Sequence, residues 1–172
     1  MSRSDQGIEI SLERQRYTVI PRTLVFITRG ERVLLLRGAP TKRIWSNKYN
    51  GIGGHVERDE DIYSAALREV REETGLEVEA LRLAGLINVD GDQPAGILLF
   101  VFTAQSQSGD PVASEEGALE WIARDQLTQI DLVEDLPTIL PRALDRTSDT
   151  PPFFAHYEYD RQERLVVRLV QP

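Results

Sequence analysis

The chain has no cysteine, which excludes disulfides, a thiolate nucleophile and any zinc–sulfur site. Histidine is scarce as well: His55 and His156 lie far apart without ligand spacing, so a histidine-held zinc ion is not expected. Long apolar stretches are missing. Residues 96–102 make an apolar run of seven, against the roughly 20 residues that a helix needs to cross a bilayer. The first twenty residues carry Arg3, Asp5, Glu9, Glu13 and Arg14 and no apolar core, so no secretory signal is expected and the cytoplasm is the expected address. Positive charge is in deficit, with 20 Lys and Arg against 28 Asp and Glu for a net charge of −8. Nucleic-acid binding would need a basic footprint, so neither nucleic acid nor membrane is an expected partner. The run Gly51-Ile52-Gly53-Gly54 lacks the Gly-Lys-Ser/Thr of a P-loop and the spacing of a dinucleotide fingerprint. Ser64 has no neighbouring histidine and reads as a helix surface residue.

What is present is an ordinary globular composition, 41% hydrophobic and 28% charged over 172 residues. That length suits one domain, taken here as residues 1–172, large enough for a sizeable core. The informative stretch lies between Gly54 and Leu76. Ile62, Ala66 and Val70 fall on one stripe of a helix over residues 61–74. At helical geometry Glu69, Glu72 and Glu73 sit within an arc of roughly 100° beside that stripe, and Arg68 is directed to the solvated flank. Carboxylates at i, i+3 and i+4 repel by about 0.2–0.5 kcal/mol per pair. An oxygen-seeking dication reverses that penalty, and clustered carboxylates are what Mg²⁺ or Mn²⁺ ligation requires. Asp59, Glu60 and Asp61 suit the helix start, and Gly75 with Leu76 behind it suits its stop.

The pattern G-x5-E-x7-R-E-V-x-E-E-x-G-L, carried by Gly54, Glu60, Arg68, Glu69, Val70, Glu72, Glu73, Gly75 and Leu76, resembles the signature of the Nudix hydrolases at each fixed position. The resemblance implies a mixed sheet between helices, an α/β (α+β) class α/β/α sandwich whose motif forms a loop–helix–loop. It further implies a hydrolase in which water attacks a phosphorus of a nucleoside diphosphate linked to some moiety X. By that resemblance Glu72 and Glu73 correspond to the principal metal ligands, Glu69 to a third and the Gly54 carbonyl to a further one, with Mg²⁺ as cofactor and Mn²⁺ as its substitute. Arg68 corresponds to the arginine that orients a motif carboxylate, and Glu60 to a glutamate of mainly structural role. The segment Ser114-Glu115-Glu116-Gly117 resembles the later acidic loop of MutT-like members. Glu116 is the candidate general base and further metal ligand there, with Glu115 in reserve.

Tyr49-Asn50-Gly51-Ile52-Gly53-Gly54 resembles the entry to the motif in members that hydrolyse oxidised purine nucleoside triphosphates. Asn50 is then a base contact, since an amide both donates and accepts along a purine edge, with Tyr49 beside it. Asp135, or Glu134 in the alternative register, is the candidate second base contact. Arg37, Lys42, Arg43 and Lys48 precede the motif, and Arg37 and Lys48 are candidates for the phosphates. A longer loop over residues 38–48 departs from those relatives. The expected function is a metal-dependent nucleoside triphosphate pyrophosphohydrolase acting on a small nucleoside polyphosphate, as a monomer or homodimer. Hydrolysis of ADP-ribose, sugar nucleotides or dinucleotides is the alternative. A non-catalytic nucleotide-sensing module is the second, disfavoured by the intact motif carboxylates.

Elsewhere the patterning predicts strands over residues 8–12, 17–20, 23–28, 32–36, 49–53, 77–89, 96–104 and 119–123. Pro21 marks an edge or break, Arg29-Gly30-Glu31 a hairpin turn, and Asp90-Gly91-Asp92 a second turn. A helix over residues 136–146 is expected to kink at Pro141, and residues 153–159 and 164–170 to form a closing hairpin.

Overall fold

The computed structural model describes residues 17–41, 43–91, 94–112, 116–147 and 149–170. The predicted strand at 8–12, Lys42, Asp92, Ser114 and Glu115 lie outside them. Strands β1 (Thr18–Arg29) and β2 (Arg32–Gly38) form a hairpin, followed by the short β3 (Tyr49–Asn50) and helix α1 (Ile62–Thr74). Then come β4 (Glu79–Val89), β5 (Ala95–Gln105), β6 (Gly117–Ala123), a 3₁₀ segment Arg124–Gln129, α2 (Leu136–Leu144), β7 (Phe153–Tyr159) and β8 (Leu165–Val170). The sheet runs β3-β2-β1-β5-β4-β7-β8, with β6 paired to β2. It is mixed: β1 with β5 and β4 with β7 are parallel, and the other pairs antiparallel.

Alternation along β1 divides the core between two faces. Val25 and Ile27 pack with Ala66 and Val70 of α1, while Leu24 and Phe26 pack with Leu136, Ile139, Leu140 and Ala143 of α2. Those α2 positions are spaced i, i+3, i+4, i+7, the apolar stripe of a surface helix. One helix therefore covers each face, as the sandwich expectation requires.

Helix α1 begins and ends where its sequence dictates. Asp61 caps it, accepting from the N–H groups of Tyr63 (2.8 Å) and Ser64 (2.9 Å). Gly75 closes it at φ 68 and donates to Arg71 O at 2.9 Å. Pro21 does not break the chain. Thr23 and Val25 donate to Gly54 O and Ile52 O on the flank away from β5, and by alternation the missing N–H of Pro21 faces that flank too. The β1–β5 ladder therefore continues through it. β4 carries a pair of register shifts, with Ala80 at φ 51. The 3₁₀ segment after β6 has no apolar period and was not foreseen.

Candidate active site

Arg68 is the centre of the motif helix's polar face, and it is turned inward rather than to the solvated flank. Its Nη2 donates to Glu60 Oε1 (2.7 Å) and to the His55 carbonyl (2.9 Å). Nε reaches Glu60 Oε2 (3.1 Å), and Nη1 reaches both Glu69 Oε1 and Glu72 Oε2 (2.9 Å each). The side chain is 29% exposed, and these bonds, Glu60's foremost, hold the guanidinium above its usual pKa. Glu60 is held below the usual carboxylate range by Arg68 first and by the Glu57 N–H second. Such charge-assisted forks fix geometry as well as charge. The carboxylate repulsion expected from spacing is thus neutralised by a built-in cation.

The second wall is the glycine strand. Gly53 donates to Glu73 Oε2 at 3.3 Å. Its φ is 150, and a Cβ there would stand 2.2 Å from the Thr23 carbonyl oxygen, so only glycine fits. A Cβ on Gly54 would meet Glu69 Oε1 at 2.6 Å; the bare backbone is what lets that carboxylate lie against it. The Gly54 carbonyl accepts from Thr23 N–H at 2.9 Å, which leaves its second lone pair. Opposite, Glu116, Lys48, Trp45 and Glu73 line one small cavity with Gly51 and Gly53. Glu116 sits in the turn just before β6, with its carbonyl accepting from Ala39 N–H at 3.2 Å.

A larger, more apolar cavity of about 220 Å³ adjoins it, and the two share Trp45, Asn50, Gly51 and Gly53. Leu24, Ile97, Leu99 and Val133 supply apolar walls; Asn50, Asp135 and Tyr157 are among the polar groups, with Arg22, Thr23 and Glu134 at the border. Asn50 Oδ1 accepts from Gly51 N–H at 2.8 Å, so its amide is oriented locally and Nδ2 is its donor group. Tyr157 donates to Asp135 Oδ2 at 3.2 Å. Burial pushes the Asp135 carboxyl above its ordinary range, with Glu134 adding to the effect and the Tyr157 and backbone bonds opposing it. Burial, then Asp135, raises Tyr157 as well.

An acid whose folded pKa exceeds its unfolded value penalises the fold while ionised. That penalty is complete above the folded pKa and fades as pH falls toward the unfolded value near 3.8. Asp135→Asn keeps an acceptor for Tyr157 and removes the charge. Thermal denaturation should show a higher Tm for the variant at pH 7–8, the gain shrinking as pH falls through the raised Asp135 pKa. A variant less stable at neutral pH would contradict it.

The NUDIX domain pattern matches residues 19–143. The chain belongs to the NUDIX family. It is 31% identical to the oxidized purine nucleoside triphosphate hydrolase of Mus musculus over 84% of this chain and 89% of the mouse protein. The corresponding Danio rerio protein is 34% identical over 61% of this chain and 67% of its own length. Among solved structures, a MutT protein from Bacillus halodurans superposes with TM-score 0.74, covering 88% of this chain and 97% of its own at 24% identity. The NUDIX domain of Shewanella oneidensis NrtR, solved with ADP ribose, gives TM-score 0.64, 14% identity and coverage of 85% and 99%.

As a Nudix hydrolase, the chain brings most of its expected residues together and leaves some apart. Glu69, Glu72, Glu73, Arg68 and Gly54 meet at the motif helix, with Glu116 and Lys48 across the small cavity; Asn50, Asp135 and Glu134 line the larger one. Tyr49 and Arg37 line neither. Tyr49 is 9% exposed in the core beneath α2, with its hydroxyl donating to Glu120 Oε2 (2.9 Å). Arg37 is exposed on β2 with its guanidinium 5.8 Å from the Tyr49 ring centre. β-strand alternation explains both: Asn50 faces the cavity, so Tyr49 faces away. Glu134 is 67% exposed and 4.0 Å from Lys48 Nζ, which leaves Asp135 the more enclosed acid.

Trp45 was missed as a site residue. It is 49% exposed, stands at φ 59 and borders both cavities. The signal available was the apolar pair Ile44-Trp45 in a loop just before the glycine strand. Tyr157 was read only as part of a hairpin.

Proposed function

We propose that the chain is a divalent-metal-dependent pyrophosphohydrolase of purine nucleoside triphosphates, with oxidised purines among its substrates. The observation carrying this is the continuity of the two cavities through Asn50, Gly51 and Gly53. An apolar slot with a few convergent polar groups suits a base, and the acidic end beside the motif helix suits a metal-bridged phosphate chain. The names of the mouse and zebrafish relatives support the purine class.

The residues fit a hard cation. Glu69, Glu72 and Glu73 offer carboxylate oxygens, and Gly54, whose Cα faces Glu69, a backbone carbonyl, with no soft ligand nearby. Among the described residues no three acidic or histidine groups form a closed cage, because Arg68 already ties Glu69 and Glu72 to itself. A bound Mg²⁺ or Mn²⁺ would supply Lewis-acid neutralisation of phosphoryl charge and lower the pKa of the attacking water. Arg68 and Glu60 hold Glu69 and Glu72 in place, Lys48 offers a positive charge to the phosphates, and Glu116 accepts the proton of the attacking water. Asn50 donates from Nδ2, and Asp135, with its raised pKa, offers an acceptor or, when protonated, a donor to the purine edge.

Asn50→Ala tests the base assignment. Losing one buried hydrogen bond costs on the order of 1–3 kcal/mol, so kcat/KM for purine triphosphates should fall roughly ten- to a hundredfold, and pyrimidine triphosphates much less. Asp135→Asn should show the same selectivity, with oxidised guanine and guanine affected differently. An equal loss on every nucleotide would reduce Asn50 to the turn that its bond to Gly51 makes. ADP-ribose and sugar nucleotides belong in the same substrate panel.

A further inference from the structure

A further cavity, of about 430 Å³, lies at the other end of the strands. The nucleotide cavity touches β5 at Ile97 and Leu99, and this one touches it at Thr103 and Gln105. At about 3.4 Å per residue, Leu99 and Gln105 are roughly 20 Å apart. Helix α2, about 13 Å long at 1.5 Å per residue, also runs between the two cavities, with Asp135 at its start in one and Ala143 and Leu144 at its end in the other.

The lining reverses the protein's overall charge. Arg82 from β4, Arg124 after β6 and Arg146 after α2 border it, and no Asp or Glu does among the described residues. One of them, Arg124, is incompletely satisfied. Arg124 Nε is buried without a hydrogen-bond partner. Its Nη2 reaches Leu144 O only at 3.5 Å and its Nη1 reaches Asp145 Oδ1 only at 3.6 Å, with Asp145 75% exposed. Arg146 donates to the carbonyls of Thr150 and Pro151, both neutral acceptors, and burial lowers its pKa. Among the described residues no ion pair engages Arg82, which is exposed. Capping the end of α2 accounts for part of Arg124 and Arg146, and it does not account for Arg124 Nε. A buried guanidinium N–H left without an acceptor is costly, and guanidinium forks match phosphate oxygens. Thr28, Thr103, Thr147 and Thr150 bring hydroxyl groups to the same wall.

We propose that this cavity is a second ligand site, separate from the nucleotide cavity, that takes a compact phosphate-bearing anion. Inorganic pyrophosphate and the phosphate of a nucleoside monophosphate share that chemistry.

The test is binding of inorganic pyrophosphate, and separately of GMP, to the full chain in EDTA, where no metal bridges an anion to the acidic site. Calorimetry and thermal shift are read against sodium chloride at equal ionic strength. Pyrophosphate should bind and raise Tm, and Arg82→Ala, an exposed change that keeps the fold, should weaken it roughly tenfold or more. Arg82→Lys should recover only part of that, and Asn50→Ala none of the loss should reproduce. GMP binding with the same Arg82 dependence supports a monoester as a source; pyrophosphate alone supports the inorganic anion. No pyrophosphate binding beyond that of chloride overturns the proposal, and so does pyrophosphate binding unchanged in Arg82→Ala or abolished in Asn50→Ala.

Discussion

Glu72→Gln should abolish nearly all hydrolysis and leave the fold in place. Among the three motif carboxylates Glu72 is the most open, 59% exposed against 13% for Glu69, so it is the one a cation reaches without unpacking the helix. Removing one charged oxygen from a hard-cation site, and with it part of the transition-state neutralisation, costs on the order of 10²–10³ in kcat. Stability should barely move. The variant loses an exposed i, i+4 pair with Arg68 and relieves repulsion with Glu69 and Glu73, two effects of about 0.5 kcal/mol or less and opposite sign. Arg68→Ala is the contrasting change: it leaves Glu60, Glu69 and Glu72 facing one another without their shared cation, so Tm should fall in EDTA and recover with Mg²⁺. Activity assays at saturating Mg²⁺ and thermal melts in both conditions check the pair. Full activity in Glu72→Gln, or an Arg68→Ala melt indifferent to Mg²⁺, would remove the metal site from this helix face.

Glu116→Gln should lower kcat by on the order of 10²–10⁴ with little change in KM, the signature of a general base acting in the transition state. Its position in the cavity that Glu73 also lines, and at the head of β6 against the Ala39 backbone, motivates the assignment. Single-turnover rates and KM on the same purine triphosphate separate chemistry from binding. A wild-type rate in Glu116→Gln with a large loss in Glu115→Gln would shift the role by one residue, and wild-type rates in both would return it to the motif helix.

The motif was legible because helix geometry is local. Spacing alone placed Glu69, Glu72 and Glu73 on one face, and Asp61 and Gly75 announced the helix ends with their own chemistry. The direction of Arg68 was not legible, since it depends on Glu60 and the His55 carbonyl, eight and thirteen residues away, brought together by the loop. Tyr49 and Asn50 show the limit most sharply. They are neighbours in one motif, and the pleat sends one into the core and the other to the cavity. The sequence pattern could not say which. Trp45 was hidden because its role arises from a left-handed loop conformation, and the basic cavity because its three arginines come from β4, the end of β6 and the end of α2.

The central claim is that one continuous site reads a purine at one end and cleaves a metal-bound phosphate chain at the other. It is tested most directly by incubating 8-oxo-dGTP, dGTP and dCTP with the protein, with Mg²⁺ or with EDTA, and identifying phosphate and pyrophosphate separately. The expected result is a nucleoside monophosphate and pyrophosphate, formed only with the dication and faster from the purines. Hydrolysis that persists in EDTA, or proceeds equally on dCTP, would contradict it.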